Sequence, residues 1–151
     1  MIDFLQTANL LRGLIAHADA LVAVLDQETQ ALIEGDLSAM AAAAAAKDAL
    51  SQKLDSGQRE LSAHLQDQSL AGAIAAAGDV ARAECEPLHN LLKARLADCR
   101  HRNAVNGKVV HRSRQSIAEL ARILSGTDAD PIYTANGKKR SVHDGHALAH
   151  A

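Results

Sequence analysis

Aromatic side chains are almost missing from this sequence: there is no tryptophan, one phenylalanine and one tyrosine among 151 residues. That excludes a core built on large rings, and it removes the platforms on which a single-stranded nucleic acid would stack its bases. Cysteine is nearly as scarce. Cys85 and Cys99 stand 14 positions apart without a C-x-x-C spacing, so free thiols in a reducing compartment are expected. Long uncharged runs are also lacking. The longest stretch free of Asp, Glu, Lys and Arg is Gln68–Gly78, 11 residues, whereas a membrane helix needs about 20 apolar residues. Asp3 and Arg12 interrupt the start, where a leader would hold its apolar segment. A soluble, cytoplasmic chain without membrane insertion is expected.

Groups for catalysis are missing too. Gly107-Lys108 lacks the preceding glycine of a phosphate-binding loop. Serines and aspartates have no histidine at a matching spacing. Two histidine arrangements have ligand-like spacing: Cys85 with His89, an i, i+4 pair, and His143, His146 and His150 near the end. Pro87 disturbs the first, and the second has no carboxylate or thiolate set around it. The expectation is a binding protein, not an enzyme, with no cofactor and no metal.

What the chain does have is alanine, leucine and valine, which carry most of its 48% apolar content. Small apolar residues favour helix and allow close helix contacts. Phe4, Ala8, Leu11, Ile15, Ala18, Val22, Leu25, Thr29 and Leu32 follow steps of four and three without a break. That is a heptad seam, and it predicts one long first helix. Glu34-Gly35-Asp36 should end it, with glycine at the C-terminal cap and Asp36 capping the next helix. A second helix is expected from about Leu37 to about Leu65, with a weaker seam and a run of alanine at Ala41–Ala46. The run reads as helix filler, or as a groove where another helix comes close. Residues 66–86 are ambiguous; "SLAGAIAAAGD" could hold a short helix.

Pro87 suits the first turn of a third helix, which should reach about Leu124 before Ser125-Gly126 stops it. Its seam runs through Leu88, Leu92, Leu96, Cys99, Asn103, Asn106, Val110, Ser113, Ile117, Leu120 and Leu124. The middle of that seam is polar. Asn103, Asn106 and Gly107 are poor helix formers, and they read either as a polar layer that sets register or as a point where the helix can rearrange. Val110, Ile117, Leu120 and Leu124 then form an apolar stripe, available to the body or to a partner. The expected fold is all-α: an elongated antiparallel hairpin plus a third long helix, a three-helix coiled-coil-like bundle over 1–125. Residues 126–151 form a tail too polar to order strongly on its own.

Charge is divided unevenly. Residues 1–86 hold 5 basic and 13 acidic side chains, a balance of −8; residues 87–151 hold 11 and 5, a balance of +6. The plain reading is that acidic and basic helices pack together. A nucleic-acid face on Lys93, Arg95, Arg100, Arg102, Lys108, Arg112 and Arg114 is the sharper one, but the chain as a whole is not positive. A third reading is a structural coiled-coil adaptor that self-associates, at least weakly, through the first helix.

Two stretches carry a resemblance. "ETQALIEGDLSAM" followed by Lys47, Leu50 and Leu54 resembles the first hairpin of the FlgN-type flagellar export chaperones. "NAVNGKVV", "IAELARIL" and "IYTANGKK" resemble that family's C-terminal half, with Asn103, Asn106-Gly107, and Tyr133 followed by Gly137. The alanine run and the histidine-rich ending depart from the family pattern. The resemblance implies a cytoplasmic chaperone that binds hook-associated (hook–filament junction) proteins and brings them to the type III export gate, without ATP or metal. On that reading the apolar stripe beyond the polar layer is the expected cargo surface, around Asn103, Asn106, Gly107, Val110, Ile117, Leu120 and Leu124. It also implies contact of Tyr133 and Gly137 with the cytoplasmic domain of the gate.

Overall fold

Asp3 begins the architecture. Its side chain accepts hydrogen bonds from the Leu5 and Gln6 amides at 3.0 and 3.3 Å, capping a helix that would otherwise start with bare N–H groups. The computed structural model describes residues 1–66 and 68–124. Helix α1 spans Phe4–Glu34. Gly35 ends it in the left-handed conformation, φ 69°, with its amide returned to the Ala31 carbonyl. Asp36 then caps α2, Leu37–His64, by accepting from Ala39 N at 2.9 Å. Both helix boundaries, and the Gly-Asp turn between them, agree with the pattern in the sequence.

Two points differ from the expectation of three helices. A fourth, short helix α3 covers Leu70–Ala76, capped by Ser69. The last helix, α4, spans Asp79–Leu124, so Pro87 lies inside it and not at its start. Proline at that place removes one i→i−4 hydrogen bond. Tertiary contacts of the added turns offset the loss. Cys85 is fully buried, and Arg82 Nη2 donates to the carbonyls of Ala75 and Ala77 at 2.8 and 3.1 Å, tying α4 to α3. No strand occurs among the described residues.

The chain divides into two compact units, Met1–Ser113 and Arg114–Ala151. The first holds α1, α2, α3 and α4 as far as Ser113. In it, α2 runs antiparallel to α1: Lys47 meets Glu28, Gly57 lies against Leu14, and His64 reaches Thr7. Helix α4 runs parallel to α1. Cys85 faces the Phe4 carbonyl, Cys99 that of Ala18, and Asn106 that of Leu25, each pair 81 positions apart. The offset stays constant over three heptad steps, so the two helices keep one register along this length.

The core is aliphatic, as the missing aromatics require. Ala8, Leu11, Leu14, Ile15 and Ala18 of α1 join Leu61 and Leu65, Ile74 of α3, and Cys85 and Leu92 of α4. Within Ala41–Ala46 only Ala43 is buried and Ala46 half-buried. The run is thus mainly exposed helix filler.

Helix α1 is long and apolar enough, by length and composition, to cross a membrane, with a mean hydropathy of 1.4 in its most apolar window. Here its heptad seam forms the core of the first unit. Of the second unit, the described residues are 114–124, the end of α4, and all are exposed. The expected tail after 125 lies outside the described residues.

Candidate functional site

Asn106 is 3% exposed, the one asparagine in the buried set of α4. Its Nδ2 donates to the Leu25 carbonyl at 3.0 Å and to Glu28 Oε2 at 2.9 Å. The Thr29 hydroxyl sits 2.8 Å from its Oδ1. Glu28 in turn accepts from Lys47 Nζ of α2 at 2.8 Å, and the same ammonium lies 3.2 Å from Asn103 Oδ1. The asparagines thus belong to a polar layer that joins all three long helices, which is the structural one of their two readings. Burial pushes the Glu28 carboxyl up. Hydrogen bonds from Lys47 and Asn106, with the Lys47 charge, outweigh that and hold it below its usual value.

Beside this layer is a cleft of about 310 Å³, floored by Leu21, Leu25, Leu96 and Cys99 and edged by Lys47 and Arg100. Its thiol is not activated as a nucleophile. Burial, with the Asp98 charge, raises the Cys99 thiol, so the proton stays on sulfur. Cys85 is likewise pushed up by burial and by Glu84, and its Sγ is turned to the Phe4 carbonyl at 3.7 Å. Among the described residues, no group of three or more His, Cys, Asp or Glu is arranged to hold a metal ion. His143, His146 and His150 lie outside the described residues.

The residues expected to contact cargo fall into two kinds. Asn103, Asn106, Gly107 and Val110 belong to the first unit. Of these, Asn106 is buried, Val110 half-buried, and Asn103 and Gly107 exposed. Ile117, Leu120 and Leu124 belong to the second unit and are 65%, 57% and 85% exposed. Ile123, which the seam did not include, is 63% exposed as well. In heptad phase, Ile117 and Leu124 repeat Asn103 and Val110, and Leu120 repeats Asn106 and Ser113. The apolar pattern therefore continues along α4 without a buried counterpart in the described residues. Tyr133 and Gly137 lie outside the described residues.

The reading of Asn103 and Asn106 missed their partners. Thr29 was legible only as a seam position, and Glu28 and Lys47 only as the glutamate and lysine of the family-like hairpin, because a surface charge and a layer charge look alike in sequence. The charge asymmetry did find its use. Asp19 pairs with Arg95 at 2.8 Å and Asp26 with Arg102, acidic α1 to basic α4; Arg12–Glu84 at 2.7 Å joins the same two helices with the signs reversed. Two cations of the proposed nucleic-acid face, Arg95 and Arg102, are thus engaged within the fold. The seam of α1, through which an adaptor would self-associate, is buried against α2 and α4.

A family model described as FlgN protein matches residues 1–141. Neither the curated proteins nor the solved structures yield a match.

Proposed function

Since the chain belongs to the FlgN family, the flagellar export chaperones, we propose that it binds hook-associated proteins in the cytoplasm and delivers them to the type III export gate. The first unit serves as a scaffold, and the end of α4 is the cargo surface. One observation carries this reading: Leu120 keeps the heptad phase of the buried series and Ile117 and Leu124 that of the half-buried Leu96 and Val110, yet all three are more than half exposed. A stripe of that width suits the apolar face of a partner helix, the helix-in-groove mode of recognition. Fully burying one such side chain is worth roughly 1.5–3 kcal/mol. Three or four together supply a binding energy that ordering costs then reduce. Holding the cargo's own apolar helices in this way keeps them from assembling early. The task needs no bond chemistry, so binding without turnover is the proposed mode.

Gate contact is assigned to Tyr133 and Gly137. A tyrosine brings large contact area with one polar handle, which suits an interface. Pull-downs with a hook-associated protein and with the cytoplasmic domain of the gate test both assignments. Ile117→Asp should lose the cargo and keep its helicity and melting temperature. Tyr133→Ala should keep the cargo and lose the gate. An Ile117→Asp chain that still binds the cargo would sink the stripe as its site.

A further inference from the structure

Gly107 has no structural reason to be glycine. It lies inside α4 with helical backbone, since Gly35 is the one glycine of positive φ among the described residues. A Cβ built on it meets nothing within 4 Å, so no neighbour demands the missing side chain. Alanine there would favour the helix by about fivefold in equilibrium. Yet the glycine directly follows Asn106, whose amide and carbonyl oxygen are bound to Leu25, Glu28 and Thr29. Before this point the series Cys85, Leu92, Cys99 and Asn106 is buried at every heptad step. After it, no described residue of α4 is buried, and Val110 alone is half-buried.

We propose that Asn106 and Gly107 form a clamp and a hinge: the polar layer holds α4 docked as far as Asn106, and Gly107 lets the helix open from Lys108 onward without disturbing the docked part. The mechanism is local. A buried, bonded amide is costly to release, because Leu25, Glu28 and Thr29 would each lose a hydrogen bond. An exposed glycine is the cheapest place in a helix to break the ladder. Opening that starts at Gly107 therefore stops at Asn106. This device holds whatever the stripe beyond it binds.

Amide hydrogen exchange on the full chain, without any partner, tests it. In the parent protein, amides 108–113 should exchange at least about tenfold faster than amides 92–103, as expected where local opening is cheap. Gly107→Ala should slow amides 108–113 about fivefold and leave 92–103 within about twofold. Ser113→Ala, which also raises helix propensity but leaves the hinge in place, should slow 108–113 by no more than about twofold. The proposal is overturned if Gly107→Ala changes nothing at 108–113, if it slows both segments alike, or if Ser113→Ala does as much.

Discussion

Asn106 donates from Nδ2 to the carbonyl of Leu25 across 3.0 Å, one heptad beyond the place where the Cys99 thiol meets the carbonyl of Ala18 at 3.5 Å. Three small polar groups of α4, those of Cys85, Cys99 and Asn106, thus read the backbone of α1 at a constant offset. The last of them also recruits a charged pair. Four consequences can be measured.

Asn106→Ala removes the centre of the layer and leaves Glu28 and Thr29 with one partner fewer. An unsatisfied buried polar group costs about 1–3 kcal/mol. Urea unfolding should show a loss of that size; a change under about 0.5 kcal/mol would mean that water replaces the amide without cost.

Acid should weaken the protein partly through Glu28. Its carboxyl is held below the ordinary value of 4.5 by Lys47 and Asn106, despite burial that pushes it up. A depressed carboxyl adds stability that is present above its unfolded pKa and lost as pH falls through the folded one. The melting temperature of the parent should therefore drop as pH falls below about 4.5, and Glu28→Gln should show a shallower drop. Identical pH profiles for the two chains would exclude Glu28 from the acid response.

Gly57 lies where α1 and α2 come close. A Cβ there would stand 2.8 Å from Leu14 Cδ2, and Leu14 is buried. The gain in helix propensity, about 1 kcal/mol, opposes overpacking of about 1–3 kcal/mol. Gly57→Ala should be neutral to destabilising by up to about 2 kcal/mol. In a double-mutant cycle with Leu14→Ala, the two changes should couple, since the second relieves the clash. Simple additivity would place the strain elsewhere.

Cys85 and Cys99 should be poor targets for thiol reagents in the folded protein. Both are buried, both are raised by burial and a neighbouring carboxylate, and both sulfurs face α1 carbonyls. Labelling at neutral pH should be slow and should speed up sharply in denaturant. Fast labelling of the native chain would show that α4 separates readily from α1.

By itself the sequence determined the first two helices and their punctuation. Heptad spacing from Phe4 to Leu32 is local, and so are the Gly35 cap and the caps at Asp3 and Asp36, because each depends on residues within a turn or two. Of the residues named in that seam, Ala8, Leu11, Ile15, Ala18 and Leu25 are buried, and Phe4, Val22, Thr29 and Leu32 are half-buried. Asn103, Asn106 and Gly107 were visible as an anomaly for the same local reason: they fit a helix poorly. Where the sequence misled, the cause was also local. Pro87 reads as a helix start, and only Cys85 and Arg82, through contacts with α1 and α3, carry the helix back to Asp79.

The tertiary structure alone decided which face meets which helix. Thr7, Leu14 and Glu28 fall at heptad steps of α1 outside the seam that was read; they meet His64, Gly57 and Lys47 of α2. A stripe wide enough for two neighbours looks the same in sequence as one blurred by chance. The parallel course of α4 and its offset from α1 also came only from packing, since a heptad pattern repeats every seven residues and permits several registers. One register brings Asp19 to Arg95, Asp26 to Arg102 and Asn106 to Glu28 together. Short-range polar contacts choose among registers that the apolar repeat leaves nearly equal, because they fail completely on a shift of about 10 Å, seven residues of helix rise.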